Sequence, residues 1–312
     1  MNVRPRLRTA VVAGASGYIG RCLVEALGAR GVQVSTIGRG TSSDATWDDP
    51  GGLERMLTDA DLLVNLAGRS VSCRYGKRNA DEILSSRIGT TAALGRALQQ
   101  VGTSDLLWIN ASTGTIYRDA RDRPMGEADG EIGTGFSVEV ARAWERELFD
   151  APTDVRKIAL RMTIVLGAGG GAINPIINLA RLGFGGRMGD GGQKVSWVHM
   201  DDVVGAVLHL VDHPEIFGPV NVAAPDVVTN AELMARVRAA MGRRAGLPEP
   251  AWLLEVGARI IRTEAELVLK SRWVASDVLR ESGYAFSHET LESALDDIAR
   301  HTPRGLLPVA LG

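Results

Sequence analysis

Cysteine is nearly absent from this 312-residue chain, which has only Cys22 and Cys73. One sits on an apolar helical stripe and the other in a loop, so no disulfide framework is available and a reducing, cytoplasmic setting fits best. Nor does any uninterrupted apolar stretch reach the length that spans a bilayer. Arg4, Arg6 and Arg8 before Ala10-Val-Val-Ala13 imitate the start of a signal peptide, but the apolar run breaks at Gly14. Basic excess is missing too. A formal net charge of −2 leaves nothing to neutralise a phosphate backbone, which argues against nucleic acid as a general partner. Five histidines and two distant cysteines show no metal-ligand spacing, so no metal is expected. Proline is sparse at 12 residues, and with 45% hydrophobic and 23% charged residues the chain reads as an ordinary globular protein. No internal repeat or low-complexity tract is present.

The most informative feature that is present lies near the amino terminus. Thr9-Ala-Val-Val-Ala13 leads into Gly14-Ala-Ser16-Gly17-Tyr18-Ile19-Gly20 and then into an amphipathic segment. A glycine turn between a short apolar strand and a helix brings backbone N–H groups and the helix N-terminus up to a pyrophosphate. Arg39 follows Gly38 at the end of the next strand. Arginine there favours a 2′-phosphate, where an acidic residue would favour a free ribose hydroxyl, so the pattern points to NADP(H). The alternative for Arg39 is a solvated loop residue, and the phosphate role is favoured. Leu66-Ala67-Gly68 ends another apolar strand, and its small residues allow a ring or ribose to approach the backbone.

Apolar, β-branched runs at 9–14, 32–37, 61–67, 105–111 and 156–165 alternate with helical patterns: the one-sided stripe Ile19, Cys22, Leu23, Ala26 and Leu27, then 78–101 and 136–149. That alternation predicts an α/β fold, a doubly wound parallel sheet with right-handed crossovers. Beyond Leu166 the chain becomes glycine-dense, at 167–171 and 183–192 around a helical stretch at 173–182. These clusters lack the Gly-Lys-Ser/Thr of a phosphate loop and read as turns. A helix at 201–213 and a return strand at 219–223 follow, and the remainder from Thr229 reads as mostly helical. The expected organisation is a cofactor domain over 1–166 and 196–224, with a smaller, mostly helical substrate lobe over 167–195 and 225–312.

Several longer blocks carry a family resemblance. They are Asn65-Leu-Ala-Gly68; Arg74-Tyr75 with Lys77, Glu82 and Ser86-Arg87; Gly170-Gly-Ala172 through Gly185-Gly186; and Gly189-Asp-Gly-Gly-Gln193-Lys194-Val-Ser-Trp197-Val-His199-Met-Asp-Asp202. Asn221-Val-Ala-Ala-Pro225, Thr229-Asn230-Ala-Glu232 and Leu279 through Phe286 complete the set. Over nearly its whole length the chain resembles the extended short-chain dehydrogenase/reductases of the NAD-dependent epimerase/dehydratase superfamily. It is most similar to the atypical group called epimerase family proteins, which carry a C-terminal domain of unknown function. The resemblance implies a Rossmann fold and NADP(H), with Arg39, Leu66, Ala67, Glu82, Arg87 and Val165 at cofactor-contacting positions.

One departure matters for chemistry. Short-chain dehydrogenases usually carry a tyrosine and a lysine four residues apart behind the nicotinamide, the lysine lowering the phenol's pKa. Here Phe136 and Val140 align with those places, and neither carries a proton to exchange. Ser112 or Thr113, at the end of the 105–111 run, resembles the hydroxyl that polarises a substrate carbonyl in related enzymes; the alternative is a hydroxyl that satisfies backbone groups. Tyr117 is the candidate replacement phenol, or else a residue that shapes the pocket. Gln193, Lys194 and Trp197 are expected at the cleft mouth, against substrate. His199, beside Asp201 and Asp202, suggests a relay or a metal ligand but reads better as an anchor that caps the following helix. The favoured activity is an NADP(H)-dependent oxidoreductase acting on a small carbonyl or hydroxyl compound. Nucleotide-sugar epimerase or dehydratase chemistry and a non-catalytic, redox-sensing NADP(H) module are the alternatives, and the sequence leaves a homodimer open.

Overall fold

The first strand, β1 (Thr9–Ala13), is buried along almost its whole length, and it pairs in parallel with β2 (Gln33–Gly38) on one side and β4 (Leu62–Asn65) on the other. In the computed structural model, which describes residues 7–247 and 269–308, these strands lie inside a seven-stranded sheet. Its order is β10-β6-β5-β4-β1-β2-β3, with β3 at Ala45–Thr46, β5 at Leu107–Thr113, β6 at Arg156–Met162 and β10 at Gly218–Val222. Every pairing in this sheet is parallel, as expected for strands with apolar residues on both faces. The fold is the doubly wound, Rossmann-like arrangement.

Two helical layers cover the sheet. On one face α1 (Tyr18–Ala29) and α6 (Met200–Asp212) enclose a core that includes Leu23, Leu27, Val64, Ile109, Val203 and Val207. On the other, α2 (Pro50–Leu57), α3 (Lys77–Val101) and α4 (Phe136–Phe149) pack around Leu53, Leu94, Leu98, Trp108 and Leu148. A third cluster joins α5 (Ile173–Arg181), α7 (Asn230–Ala240) and the last helix, α9 (Leu291–His301). It also takes in two small sheets. In one, β7 (Ile164–Leu166) pairs in parallel with β9 (Trp197–His199); in the other, β8 (Lys194–Val195) pairs antiparallel with β11 (Val228–Thr229). The short helix α8 (Asp277–Glu281) sends Leu279 into the main core, where Tyr284 and Phe286 also pack, so this C-terminal stretch covers the main sheet's core directly. The part of the expected helical remainder at 248–268, and Arg4 and Arg6, lie outside the described residues.

The 156–165 run divides at Thr163. Up to Met162 it lies between β5 and β10, and from Ile164 it pairs with β9 in another sheet. Thr163 makes the switch by donating both its N–H and its hydroxyl to the Val222 carbonyl.

A buried polar network fixes the carboxyl ends of three strands. The Arg161 guanidinium donates twice to the Glu145 carboxylate, at 2.7 Å each, and both residues are buried. Ser112 donates to the same carboxylate at 2.6 Å, Arg161 donates to the Tyr117 hydroxyl at 2.8 Å, and Tyr117 donates to Asn221 at 3.0 Å. The chain of bonds ties β5, α4, β6 and β10 together. Removing one partner of a buried ion pair leaves a charge without compensation. Glu145→Ala is therefore expected to cost about 3–5 kcal/mol in urea unfolding, with much of the loss recovered in Glu145→Ala, Arg161→Met. A loss under about 1 kcal/mol would place the pair with weak surface bridges.

Candidate active site

The glycine turn opens the site because two glycines allow backbones to meet there. Gly14 has φ +80°, and a Cβ on it would lie 2.8 Å from the carbonyl carbon of Leu66. A Cβ on Gly20 would lie 2.4 Å from the Gly14 carbonyl oxygen, so α1 closes onto the turn only with glycine there. Gly17 differs. Its Cβ would meet only the Gly14 oxygen, at 3.2 Å, which leaves its other side open to a ligand.

These residues line a cavity of about 310 Å³ together with Tyr18, Ile19, Leu66, Arg87, Ser112, Thr113 and Thr115. Its remaining walls include Tyr75, Ile83, Phe136, Val140, Trp144 and Met162. The cavity thus brings the amino-terminal turn, the end of β4, the middle of α3, the end of β5 and the start of α4 to one place, at the carboxyl edge of the sheet. That is where ligands bind in open α/β sheets.

Arg87 is the cation in this space. Its guanidinium lies 5.0 Å over the Trp144 ring and donates to the carbonyls of Arg69 and Ile83. No acidic side chain pairs with it among the described residues, and burial lowers its pKa. Tyr75 and Cys73, in their charged forms, oppose that shift, which places both within electrostatic reach of the guanidinium. Gly68 makes room, since a Cβ there would press on Arg87 at 3.3 Å. A partly desolvated cation without a carboxylate suits an anionic ligand.

The loop beneath is held by amides. Asn65 accepts from the Ala67 N–H and donates to Asn110 at 2.7 Å, while Thr91 accepts from the Trp144 indole at 3.1 Å. At the end of β5, the Thr113 hydroxyl accepts from the Thr115 N–H and lies 3.1 Å from the Thr115 hydroxyl.

The expected site residues divide by where the fold sends them. Gly14, Gly17, Tyr18, Ile19, Gly20, Leu66, Arg87, Ser112 and Thr113 line the cavity. Ser16 is exposed beside it, Ala67 and Gly68 continue from Leu66, and Gly38 and exposed Arg39 end the neighbouring β2. Glu82 does not line the cavity. It pairs with Arg69 and, at 2.9 Å, with Arg78. Val165 packs against the main core from β7.

Three expectations about catalytic and substrate residues need correction. The Tyr117 phenol is buried away from the cavity, with its hydrogen donated to Asn221 and its oxygen accepting from Arg161; burial raises its pKa. Ser112 touches the cavity, but its hydroxyl hydrogen is committed to Glu145. Gln193 and Trp197 are buried, Gln193 donating to the Met188 carbonyl and Trp197 to that of Asp226, while Lys194 lies 5.0 Å over Trp273, so these three are not at the mouth of this cavity. Trp197 is turned inward by its place in β9, and Gln193 is buried in the turn just before β8. His199 caps α6 as expected, accepting from the Asp201 N–H at 3.3 Å. Sequence reasoning missed Thr115 and Tyr75 as cavity residues. Thr115 sits two residues beyond Thr113, where the strand becomes a 3₁₀ turn, and Tyr75 lies in a loop without periodicity.

Comparison with known proteins follows this geometry. The profile of the NAD dependent epimerase/dehydratase family matches residues 10–223, and a domain of unknown function, DUF1731, matches 250–298. Human epimerase family protein SDR39U1 is 30% identical over 298 residues, covering 92% of this chain and 98% of its own. An epimerase family protein of Mycobacterium bovis is 33% identical over 294 residues, covering 91% and 95%. A crystal structure of the human protein with NADPH superposes with a TM-score of 0.85 at 30% identity over 94% of this chain and 99% of that one. A Thermus thermophilus UDP-glucose 4-epimerase in complex with NAD, at 18% identity and a TM-score of 0.74 over 94% and 98%, shares the fold. From its glycine turn to the return strand β10, this chain belongs to the NAD-dependent epimerase/dehydratase family.

Proposed function

We propose that the protein is an NADP(H)-dependent oxidoreductase that reduces a small carbonyl compound or oxidises the matching alcohol. The observation that carries this reading is the single cavity that joins the glycine turn to Thr113, Thr115 and Tyr75. The residues present fit the cofactor: Gly14, Gly17 and Gly20 hold the turn that a pyrophosphate needs, and Arg87 supplies positive charge beside it. Arg39, exposed at the end of β2, stands where a 2′-phosphate is met in this fold. When bound, NADPH supplies a hydride to the carbonyl carbon.

The chain's own residues would do the rest. The Thr113 and Thr115 hydroxyls polarise the carbonyl, and with Ser112 committed to Glu145 they are the hydroxyls better placed at the end of β5. The Tyr75 phenol donates the proton that the developing alkoxide oxygen takes up, and water restores it. The Tyr75 ring lies tilted against Phe136, which stands in the usual tyrosine's place, with centroids 4.9 Å apart, and Arg87 lines the same cavity. A cation beside a phenol stabilises its phenolate, which is the part the missing lysine plays elsewhere. Nucleotide-sugar epimerisation is the less favoured chemistry, because Phe136 and Val140 present hydrocarbon to the cavity where a base is required.

Two outcomes test the reading. Arg39→Ala is expected to weaken NADPH by about tenfold or more while NADH changes little, in a fluorescence titration. Equal losses for both cofactors would remove Arg39 from phosphate recognition. Against a panel of aliphatic and aromatic aldehydes and ketones, the wild type is expected to consume NADPH, and Tyr75→Phe to lower kcat by about 10²-fold or more with NADPH affinity retained. Unchanged turnover in Tyr75→Phe dismisses the phenol. Tight NADPH binding without oxidation by any panel member favours the non-catalytic, redox-sensing module.

A further inference from the structure

At the start of α6, outside the cavity, two histidines from distant parts of the chain face one carboxylate. His199 Nδ1 lies 3.4 Å from Asp201 Oδ2, and His288 Nε2 lies 3.5 Å from the same oxygen. The two rings are tilted together with centroids 3.9 Å apart, and the three candidate ligand atoms all lie within 4.8 Å of one another.

We propose that His199 Nδ1, His288 Nε2 and Asp201 Oδ2 form a binding site for a transition-metal dication of the zinc type, with water in the fourth position. The two histidine–carboxylate separations, 3.4 and 3.5 Å, match the edges of a tetrahedron built on Zn–N and Zn–O bonds of about 2.0–2.2 Å, and the two ring nitrogens lie within 4.8 Å of each other. Two nitrogens and one carboxylate oxygen are the donor set of an open zinc site.

The surroundings hold each ligand in the orientation that a metal needs. An imidazole that ligates through one nitrogen generally gives its other to a hydrogen-bonding partner. His288 Nδ1 lies 3.0 Å from the Ser293 hydroxyl. His199 Nε2, on a residue only 3% exposed, has no hydrogen-bond partner, and the Asp297 carboxylate lies 3.5 Å away. Ser293 and Asp297 are one turn apart on α9, so one helix face backs both histidines. A metal on Nδ1 would polarise the Nε2–H toward Asp297, completing a carboxylate–histidine–metal arrangement. Asp202 fixes the other side by accepting from the N–H groups of Ser287 and His288.

The charge balance and access also agree. The Asp201 side chain is 65% exposed, which gives an ion a route in from solvent. The positive end of α6 opposes a cation, and Asp201 and Asp202 in its first turn counter that field. Helix capping alone accounts for His199 Nδ1, which accepts a long 3.3 Å bond that the metal would replace. It does not account for a second imidazole aimed at the same carboxylate. Occupied, the site would staple the segment leading into α9 to the start of α6.

The test uses the full chain without a polyhistidine tag, stripped with chelator and desalted. Titrated with ZnCl₂ by calorimetry, it is expected to bind one equivalent, and CoCl₂ is expected to give the intense visible absorption of a tetrahedral site. His288→Phe keeps the ring stack and should abolish both signals while the metal-free melting temperature holds; Ser293→Ala should weaken zinc by about tenfold. No saturable binding to the wild type would overturn the proposal. So would one equivalent retained in His288→Phe, which would place the ion elsewhere, such as at the stacked His209–His213 pair.

Discussion

Backbone contact at the glycine turn is the constraint on which this architecture depends. With a Cβ on Gly14 the chain could not lie against Leu66, and with one on Gly20 the first turn of α1 could not seat on the Gly14 carbonyl. Separating these backbones by a methyl group would move α1 away from β4 and open the site between them. The cavity exists because three segments touch without side chains and then diverge at the carboxyl edge of the sheet.

Polar residues near that edge perform two different tasks. Ser112, Glu145, Arg161, Tyr117 and Asn221 form one bonded series, and Asn65, Thr91, Asn110 and Trp144 form another. Within the first, each hydroxyl is committed to a neighbour, which stiffens the strand ends and removes those groups from chemistry. Thr113, Thr115, Tyr75 and Arg87 line the ligand space.

The departure at Phe136 and Val140 is consistent with this arrangement. Both residues pack into an apolar patch with Cys73, Ile83 and Tyr75, so helix α4 contributes shape rather than a proton relay. Similarity to the sugar epimerases at 18% identity extends to the fold, and fold does not choose the reaction.

Local pattern by itself determined the alternating strands and helices, the glycine turn and its cofactor class, since burial on both faces and one-sided helical stripes leave periods that are readable residue by residue. Helix α4 at 136–149 and the return strand, expected at 219–223 and found at Gly218–Val222, were legible for that reason. The two-residue strands β3, β8 and β11 are too short to carry a period, and α2 has glycines in its first turn. Only tertiary structure decided that the 156–165 run splits between two sheets and that Tyr117, Gln193 and Trp197 turn inward. It alone brought Tyr75 against Phe136 and His288 against His199. Such pairings depend on strand register and on where the returning C-terminal segment lands. Both are set by packing across the whole chain, which no local spacing records.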